Sequence, residues 1–221
     1  MKNVMIVGSN RGIGLALVKA YAQNAKITAL CRKTSKDLSA IDNINIIENA
    51  DVSNTSSLDE IAKQLEGQEF DLLIHVSGIW RDDNLFDDVN WDYFTESFEV
   101  NSIAPLKTVS AFKSLLSKNS KIGLMSSRMG SVEDNTSGDK YSYRMSKSAL
   151  NCAGKGLSID LKNDGISVAV LHPGYVQTDM TSGSGNLTPK ESAEGIKKVM
   201  DKLSMENTGR FYHTNGEQLP W

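Results

Sequence analysis

Short apolar runs of strand type alternate with longer segments of helical period along the whole chain. That alternation admits few folds, because each strand must return through a helix to a parallel neighbour, and such crossovers are right-handed. KNVMIV (2–7), KITALC (26–31), INIIEN (44–49), FDLLIHV (70–76), KIGLMS (121–126) and ISVAVL (166–171) read as strands, with GRFYH (209–213) a short last one. FDLLIHV is apolar almost throughout, as expected when helices cover both faces of a sheet. The segments between predict helices over 11–24, 55–67, about 91–118, 140–163 and 189–203. Ile13, Leu17 and Tyr21 recur at spacing four in the first. Pro105 predicts a kink in the long central helix, and Thr188 before Pro189 a capped start for the last. Loops rich in Ser, Gly, Asn and Thr are expected at 128–140 and 179–188. The expected architecture is a doubly wound, mostly parallel sheet of six to seven strands with helices on both faces.

A length of 221 residues suits one such domain, spanning 1–221, and is short for two. A formal charge of −3 speaks against a phosphate-backbone binder, so no nucleic-acid partner is expected. No apolar run approaches the length of a bilayer span, and the N-terminus lacks the apolar core of a secretory signal. Cys31 and Cys152 show no metal-ligand spacing and read as buried thiols of a reducing compartment. The expectation is a soluble cytoplasmic protein with no metal and no membrane contact.

The first strand runs into Gly8-Ser9-Asn10-Arg11-Gly12-Ile13-Gly14 and then directly into a helix. Glycines there permit positive φ and close approach of a ligand to the backbone. The helix N-terminus offers free N–H groups and a positive dipole end to a pyrophosphate. The spacing G-x-x-x-G-x-G differs from the commoner G-x-G-x-x-G fingerprint, and tight packing alone is the alternative reading. Its place at the first βα turn favours a dinucleotide-binding Rossmann fold. An NAD site carries an acidic residue at the end of the second strand, whereas this chain has Cys31, Arg32 and Lys33, with Arg11 inside the glycine turn. Two guanidinium groups suit a 2′-phosphate, so NADP(H) is expected over NAD(H); a solvated basic edge is the alternative.

Tyr143 and Lys147 lie four apart on a predicted helix and share a face. An ammonium beside a phenol favours the phenolate, which makes such a pair an acid/base device for a carbonyl or an alcohol. Alone the pair is weak evidence. Ser126-Ser127 adds to it, ending the fifth strand at the edge where open α/β sheets place their sites. Asn101 adds again, near Pro105, where a helix irregularity would free its amide. Each of these also has a purely structural reading.

These motifs together resemble the short-chain dehydrogenase/reductase family along nearly the whole chain. The turn 8–14 matches its glycine motif, with Val7 in place of the usual Thr. The resemblance implies that Asp51-Val52 faces the adenine and that Asn101, Ser127, Tyr143 and Lys147 form the catalytic set. It further implies that Pro173-Gly174, Val176 and Thr178 lie beside the nicotinamide amide. Ser126 to Ser131, Asp134 to Gly138, Tyr141 to Lys147 and the segment Gly216 to Trp221 are similar to sniffer-type carbonyl reductases and C-factor proteins. One departure stands out: the fourth strand ends His75-Val76-Ser77-Gly78, where the family usually has Asn-Asn-Ala-Gly. Ser77 and Gly78 keep the cofactor-side positions. His75 reads either as a base or as a polar group hydrogen-bonded in the core.

The resemblance implies an NADP(H)-dependent oxidoreductase that reduces a carbonyl to an alcohol on a small-molecule substrate. Cofactor contacts are expected from Gly8, Ser9, Asn10, Arg11, Gly12, Ile13, Gly14, Arg32, Asp51, Val52, Ser77, Gly78, Asn101, Tyr143, Lys147, Pro173, Gly174, Val176 and Thr178. The alternative is a dinucleotide-binding signalling protein of C-factor type with little turnover. Family members are often dimers or tetramers, leaving homodimer and homotetramer both open. Trp80, Phe86, Met129, Tyr175 and Met180 are expected around the substrate, favouring an apolar or aromatic carbonyl compound. The stretch from Thr178 to Pro189 is short, which predicts an open pocket.

Overall fold

Alternate residues of the first strand serve opposite faces: Val4 and Ile6 join one apolar cluster, Met5 and Val7 another. A strand buried on both sides in this way needs a helical layer above and below. The computed structural model, which describes residues 2–221, supplies both. Among these residues the strands are β1 (Lys2–Val7), β2 (Ala25–Leu30), β3 (Ile44–Ile47), β4 (Phe70–His75), β5 (Leu116–Met125), β6 (Ser167–His172) and β7 (Arg210–His213). They form one sheet in the order β3-β2-β1-β4-β5-β6-β7, and every pairing is parallel.

Leu17, Val18 and Tyr21 of α1 (Gly12–Ala22) share one face with Ala193, Ile196 and Met200 of α7 (Pro189–Lys202) and Leu38 of α2 (Lys36–Ser39). The other face is covered by α3 (Thr55–Gln64), α5 (Ala104–Phe112) and α6 (Tyr141–Asp160), through Leu58, Ile61, Phe112 and Leu150. The remaining helix, α4 (Asp92–Phe98), runs into α5. Thr188 caps α7 as expected, its hydroxyl accepting from the Glu191 N–H while Glu191 returns a carboxylate oxygen to the Thr188 N–H.

Several expectations need correction. The segment 91–118 is not one kinked helix: α4 passes through a π-helical turn, Glu99–Ile103, into α5, a 3₁₀ turn follows at Lys113–Leu115, and β5 already begins at Leu116. Pro105 has no N–H and its ring crowds the carbonyl four residues back, so the turn widens ahead of it; the Ala104 N–H reaches Glu99 O. β5 is longer than expected because Asn119 takes φ 74°, loosening the register between Phe70↔Leu116 and Leu72↔Lys121. Asn tolerates that left-handed conformation. Cys31 is buried but Cys152 is exposed, on the solvent side of α6. The four-residue helix α2, capped by Ser35, had no signal of period. Among the described residues no helix is long and apolar enough to cross a membrane, and no cluster of three or more His, Cys, Asp or Glu could hold a metal ion.

Candidate active site

Strand order reverses direction between β1 and β4, and their carboxyl ends splay into a crevice. A cleft of about 270 Å³ opens there, lined by the glycine turn, by Arg32 at the end of β2, by Asp51 and Val52 after β3, by Ser77 and Gly78 after β4, and by Thr178 after β6. The glycine turn is pinned by one carbonyl: Leu30 O accepts from Gly8 N at 2.9 Å, Ser9 N at 3.2 Å and Ser9 Oγ at 3.0 Å. Ser9 is therefore fully buried as a brace, while its neighbours face the cleft. Two glycine positions are dictated by geometry. Gly8 takes φ 89°, and a Cβ on it would lie 2.6 Å from Ser77 Oγ; a Cβ on Gly14 would overlap the Gly8 carbonyl. Helix α1 begins at Gly12 with no side chain capping it, so its first N–H groups point into the cleft as an anion site. Asn10 Oδ1 is buried there with no partner in the protein. This cradle fits a dinucleotide pyrophosphate.

The basic groups differ in engagement. Arg32 lines the cleft, whereas Arg11 reaches across it to an exposed ion pair with Asp179. Pro173, Gly174 and Val176, expected among the cofactor contacts, are not in the cleft lining: Pro173 O accepts from Ser192 Oγ, Gly174 takes φ 84°, and Val176 bridges Leu187. They shape the segment that brings Thr178 opposite Gly12, where a Cβ would meet the Thr178 methyl at 3.4 Å.

Next to the cleft, α6 presents Tyr143 and Lys147, and Ser127 follows two residues after the end of β5, at the start of the 3₁₀ turn Arg128–Gly130. All three side chains are buried. Burial pushes the Tyr143 phenol up to about 12, opposed by the Ser127 hydroxyl that faces it. Burial holds the Lys147 ammonium down to about 7; its Nζ donates to Met125 O at 2.9 Å and sits 5.7 Å from the Tyr143 ring centre. Gly78 joins this group to the cleft, since a Cβ there would lie 3.2 Å from Asn101 Oδ1 and 3.5 Å from Lys147 Nζ.

Asn101 sits inside the π-helical turn, but its side-chain amide is not free. Oδ1 accepts from Ile79 N at 2.8 Å, and Nδ2 donates to Ile79 O and to Ser146 Oγ, each at 3.0 Å. Pro105, four residues on, has no N–H to offer the Asn101 main-chain carbonyl. His75 lies outside the cleft lining. Thr108 gives its hydroxyl hydrogen to Ala104 O, so His75 Nδ1 donates to Thr108 Oγ1 at 3.1 Å. Its Nε2 is buried without a partner, and burial holds the imidazole down to about 3.

The structure adds contacts that the sequence does not specify, although Trp80 is expected near the substrate. Asp179 and Cys31 line the cleft, and Trp80 lies on Tyr143 with ring centres 4.7 Å apart. Asp83 accepts hydrogen bonds from Ser142. Tertiary proximity alone reveals the partners of each.

Comparison with known proteins gives matches over the full length. The family model for short chain dehydrogenase matches residues 2–187. The 1-hydroxy-2-glutathionyl-2-methyl-3-butene dehydrogenase of Rhodococcus sp. (strain AD45) is 36% identical over 229 residues, covering 100% of both chains. The C-signal protein of Myxococcus xanthus is 38% identical over 156 residues, covering 68% of this chain and 92% of that one. Among solved structures, carbonyl reductase Sniffer of D. melanogaster superposes with a TM-score of 0.92 at 32% identity, covering 100% of both. The NADPH-bound carbonyl reductase from chicken fatty liver superposes with a TM-score of 0.89 at 30% identity, covering 100% of this chain and 99% of that one.

Proposed function

The chain belongs to the short-chain dehydrogenase/reductase family, and from that membership we propose that it is an NADPH-dependent oxidoreductase reducing a carbonyl to an alcohol. The observation that carries this reading is the burial of Ser127, Tyr143 and Lys147 together beside Gly78, a lining residue of the cleft that fits a dinucleotide.

The nicotinamide cofactor, when bound, supplies the hydride. Every other requirement falls to side chains of this protein. The first N–H groups of α1 would hold the pyrophosphate, and Arg32 with Arg11 would receive a 2′-phosphate. Asp51 and Val52 would face the adenine, and Thr178 the nicotinamide amide. Tyr143, a phenol raised further by burial, holds its proton at neutral pH and is the acid that would protonate the developing alkoxide. Ser127 orients the same oxygen. Lys147 favours the phenolate when charged, and the main-chain carbonyl of Asn101, which Pro105 cannot serve, would accept from a water that carries the replacement proton inward. Much of the rate gain comes from holding acid and carbonyl in one geometry.

The substrate is an apolar or aromatic carbonyl compound. Trp80 walls the site against Tyr143, while the exposed Tyr175 and Met180 leave the outer side open. The NADPH-bound chicken reductase supports the cofactor assignment. Similarity to the C-signal protein supports a second reading, a dinucleotide-binding signalling protein with little turnover. A panel of aromatic and aliphatic carbonyls followed by NADPH absorbance, beside Tyr143→Phe, separates the two. Turnover lost in Tyr143→Phe with NADPH binding retained is the expected result. NADPH binding with no reduction of any carbonyl by the wild type establishes the second reading instead.

A further inference from the structure

Helix α6 carries Tyr143 and Lys147, yet it begins without a cap of its own. Lys140 occupies the N-cap position in a left-handed conformation, φ 54°, and its side chain makes no capping hydrogen bond. First-turn N–H groups of such a helix need acceptors from elsewhere. Asp83 supplies one from 59 residues away: its Oδ2 accepts from the Ser142 N–H at 3.2 Å and its Oδ1 from the Ser142 hydroxyl at 2.9 Å. The carboxylate belongs to a residue only 5% exposed, and a buried charge at that depth persists only when hydrogen-bonded. A negative group is also favoured at a helix N-terminus.

The neighbours of Asp83 grip the same turn. Asp82 pairs with the Lys140 ammonium, and Trp80 lays its ring on Tyr143 at a tilt of 53°. The segment 80–83 therefore meets α6 at residues 140, 142 and 143. Ser142 directly precedes Tyr143, so displacement of its main chain rotates the phenol.

We propose that Asp83 is a positioning residue for the reaction. By anchoring the segment 80–83 to the first turn of α6, it fixes the direction of the Tyr143 hydroxyl and holds Trp80 as the wall of the substrate space. This inference rests on the reading of Tyr143 as proton donor.

The test compares wild type, Asp83→Ala and Asp83→Asn with NADPH and 4-nitrobenzaldehyde, together with NADPH binding by fluorescence titration and amide hydrogen exchange. Asp83→Ala is expected to lower kcat about tenfold or more, as misplacement of a catalytic group does, with the NADPH Kd unchanged within about twofold. Exchange at Ser142 to Lys147 accelerates while β1 and β4 stay protected. Asp83→Asn, which keeps an oxygen acceptor for Ser142, recovers kcat to within about fivefold of wild type. Wild-type kcat in Asp83→Ala overturns the proposal, as does a loss matched by lost NADPH binding and lost protection across the sheet. Should the wild type leave the aldehyde unreduced, the reductase reading fails separately. Exchange then decides alone: unchanged rates at Ser142 to Lys147 in Asp83→Ala overturn the anchoring.

Discussion

Arg11 Nη1 lies 2.6 Å from Asp179 Oδ2, tying the glycine turn to the segment after β6 across the mouth of the cleft. The partners stand 168 residues apart in sequence, and both side chains are largely exposed, so water and salt screen the pair heavily.

On the proposed reading Arg11 must leave Asp179 to meet a 2′-phosphate, so removing the carboxylate should free it. An exposed ion pair is worth at most about 1 kcal/mol, so Asp179→Asn is expected to tighten NADPH by up to about fivefold, with NADH little affected. Arg32→Ala should weaken NADPH about tenfold with NADH unchanged, as befits a lost charge-assisted hydrogen bond. Titration of both cofactors against the three proteins checks this. An Asp179→Asn variant that binds NADPH less tightly would show that the pair supports the site instead of competing with it.

Lys147, held down to about 7 by burial, predicts a pH dependence. Below that value the ammonium is present and favours release of the Tyr143 proton; above it the amine is neutral and the assistance fades. Reductive kcat/KM, which reports the free enzyme, should therefore fall through one ionisation near pH 7 as pH rises. A flat profile from pH 6 to 9 contradicts the assignment.

Two buried imidazoles predict a loss of stability in acid. Burial holds His75 and His172 each down to about 3, against an ordinary value near 6.5. The unfolded chain takes up protons that the folded chain refuses, so stability is full above pH 6.5 and is lost as pH falls from there toward 3. Each group contributes a slope of up to about 1.4 kcal/mol per pH unit in that window. His75→Asn, carrying the residue the family usually has there, should reduce that slope by one proton's worth in urea unfolding followed from pH 7 to 4. An unaltered slope would mean that His75 is charged within the fold.

Gly130 presses on the helix that bears the site. A Cβ on it would lie 2.6 Å from the Lys147 carbonyl carbon and 2.7 Å from its Cβ, with backbone on both sides leaving little room to yield. Gly130→Ala should push the 3₁₀ turn at Arg128–Gly130 away from α6, displacing Ser127. The expected cost is about 1–3 kcal/mol of stability, with activity lost beyond that. Thermal unfolding together with turnover checks the pair of effects, and a variant of wild-type activity would exclude the contact as a constraint.

What could be read in the sequence was what is local. The glycine turn occupies seven consecutive residues, and Tyr143 with Lys147 span one helical turn, so spacing alone put each on its element. The strands were legible because burial on both faces leaves unbroken apolar runs such as LLIH. The π-helical turn was half legible: Pro105 announced an irregularity, but only the pairing of Ala104 N–H with Glu99 O defines its width. The freedom expected of the Asn101 amide failed because Ile79 and Ser146 come from other elements to occupy it. Cys152 was misjudged because α6 is amphipathic, and which side faces solvent depends on the sheet beneath it. Asp83 lay wholly outside the reach of pattern, since a helix cap borrowed across 59 residues leaves no periodic trace.

The all-parallel sheet bears on how the chain reaches this state. With no antiparallel pair among the seven strands, no hairpin is available as a quick local nucleus. The central pairing sets Val4 beside Leu72, so β1 waits for a stretch of chain that includes two other strands and three helices before its second neighbour arrives. Loop closure of that kind makes parallel sheets slow to assemble. During synthesis, β1 to β3 emerge with an open edge at β1, bearing Val4, Met5, Ile6 and Val7, until β4 is translated. That edge is the one exposed to wrong pairing until the chain is made past His75.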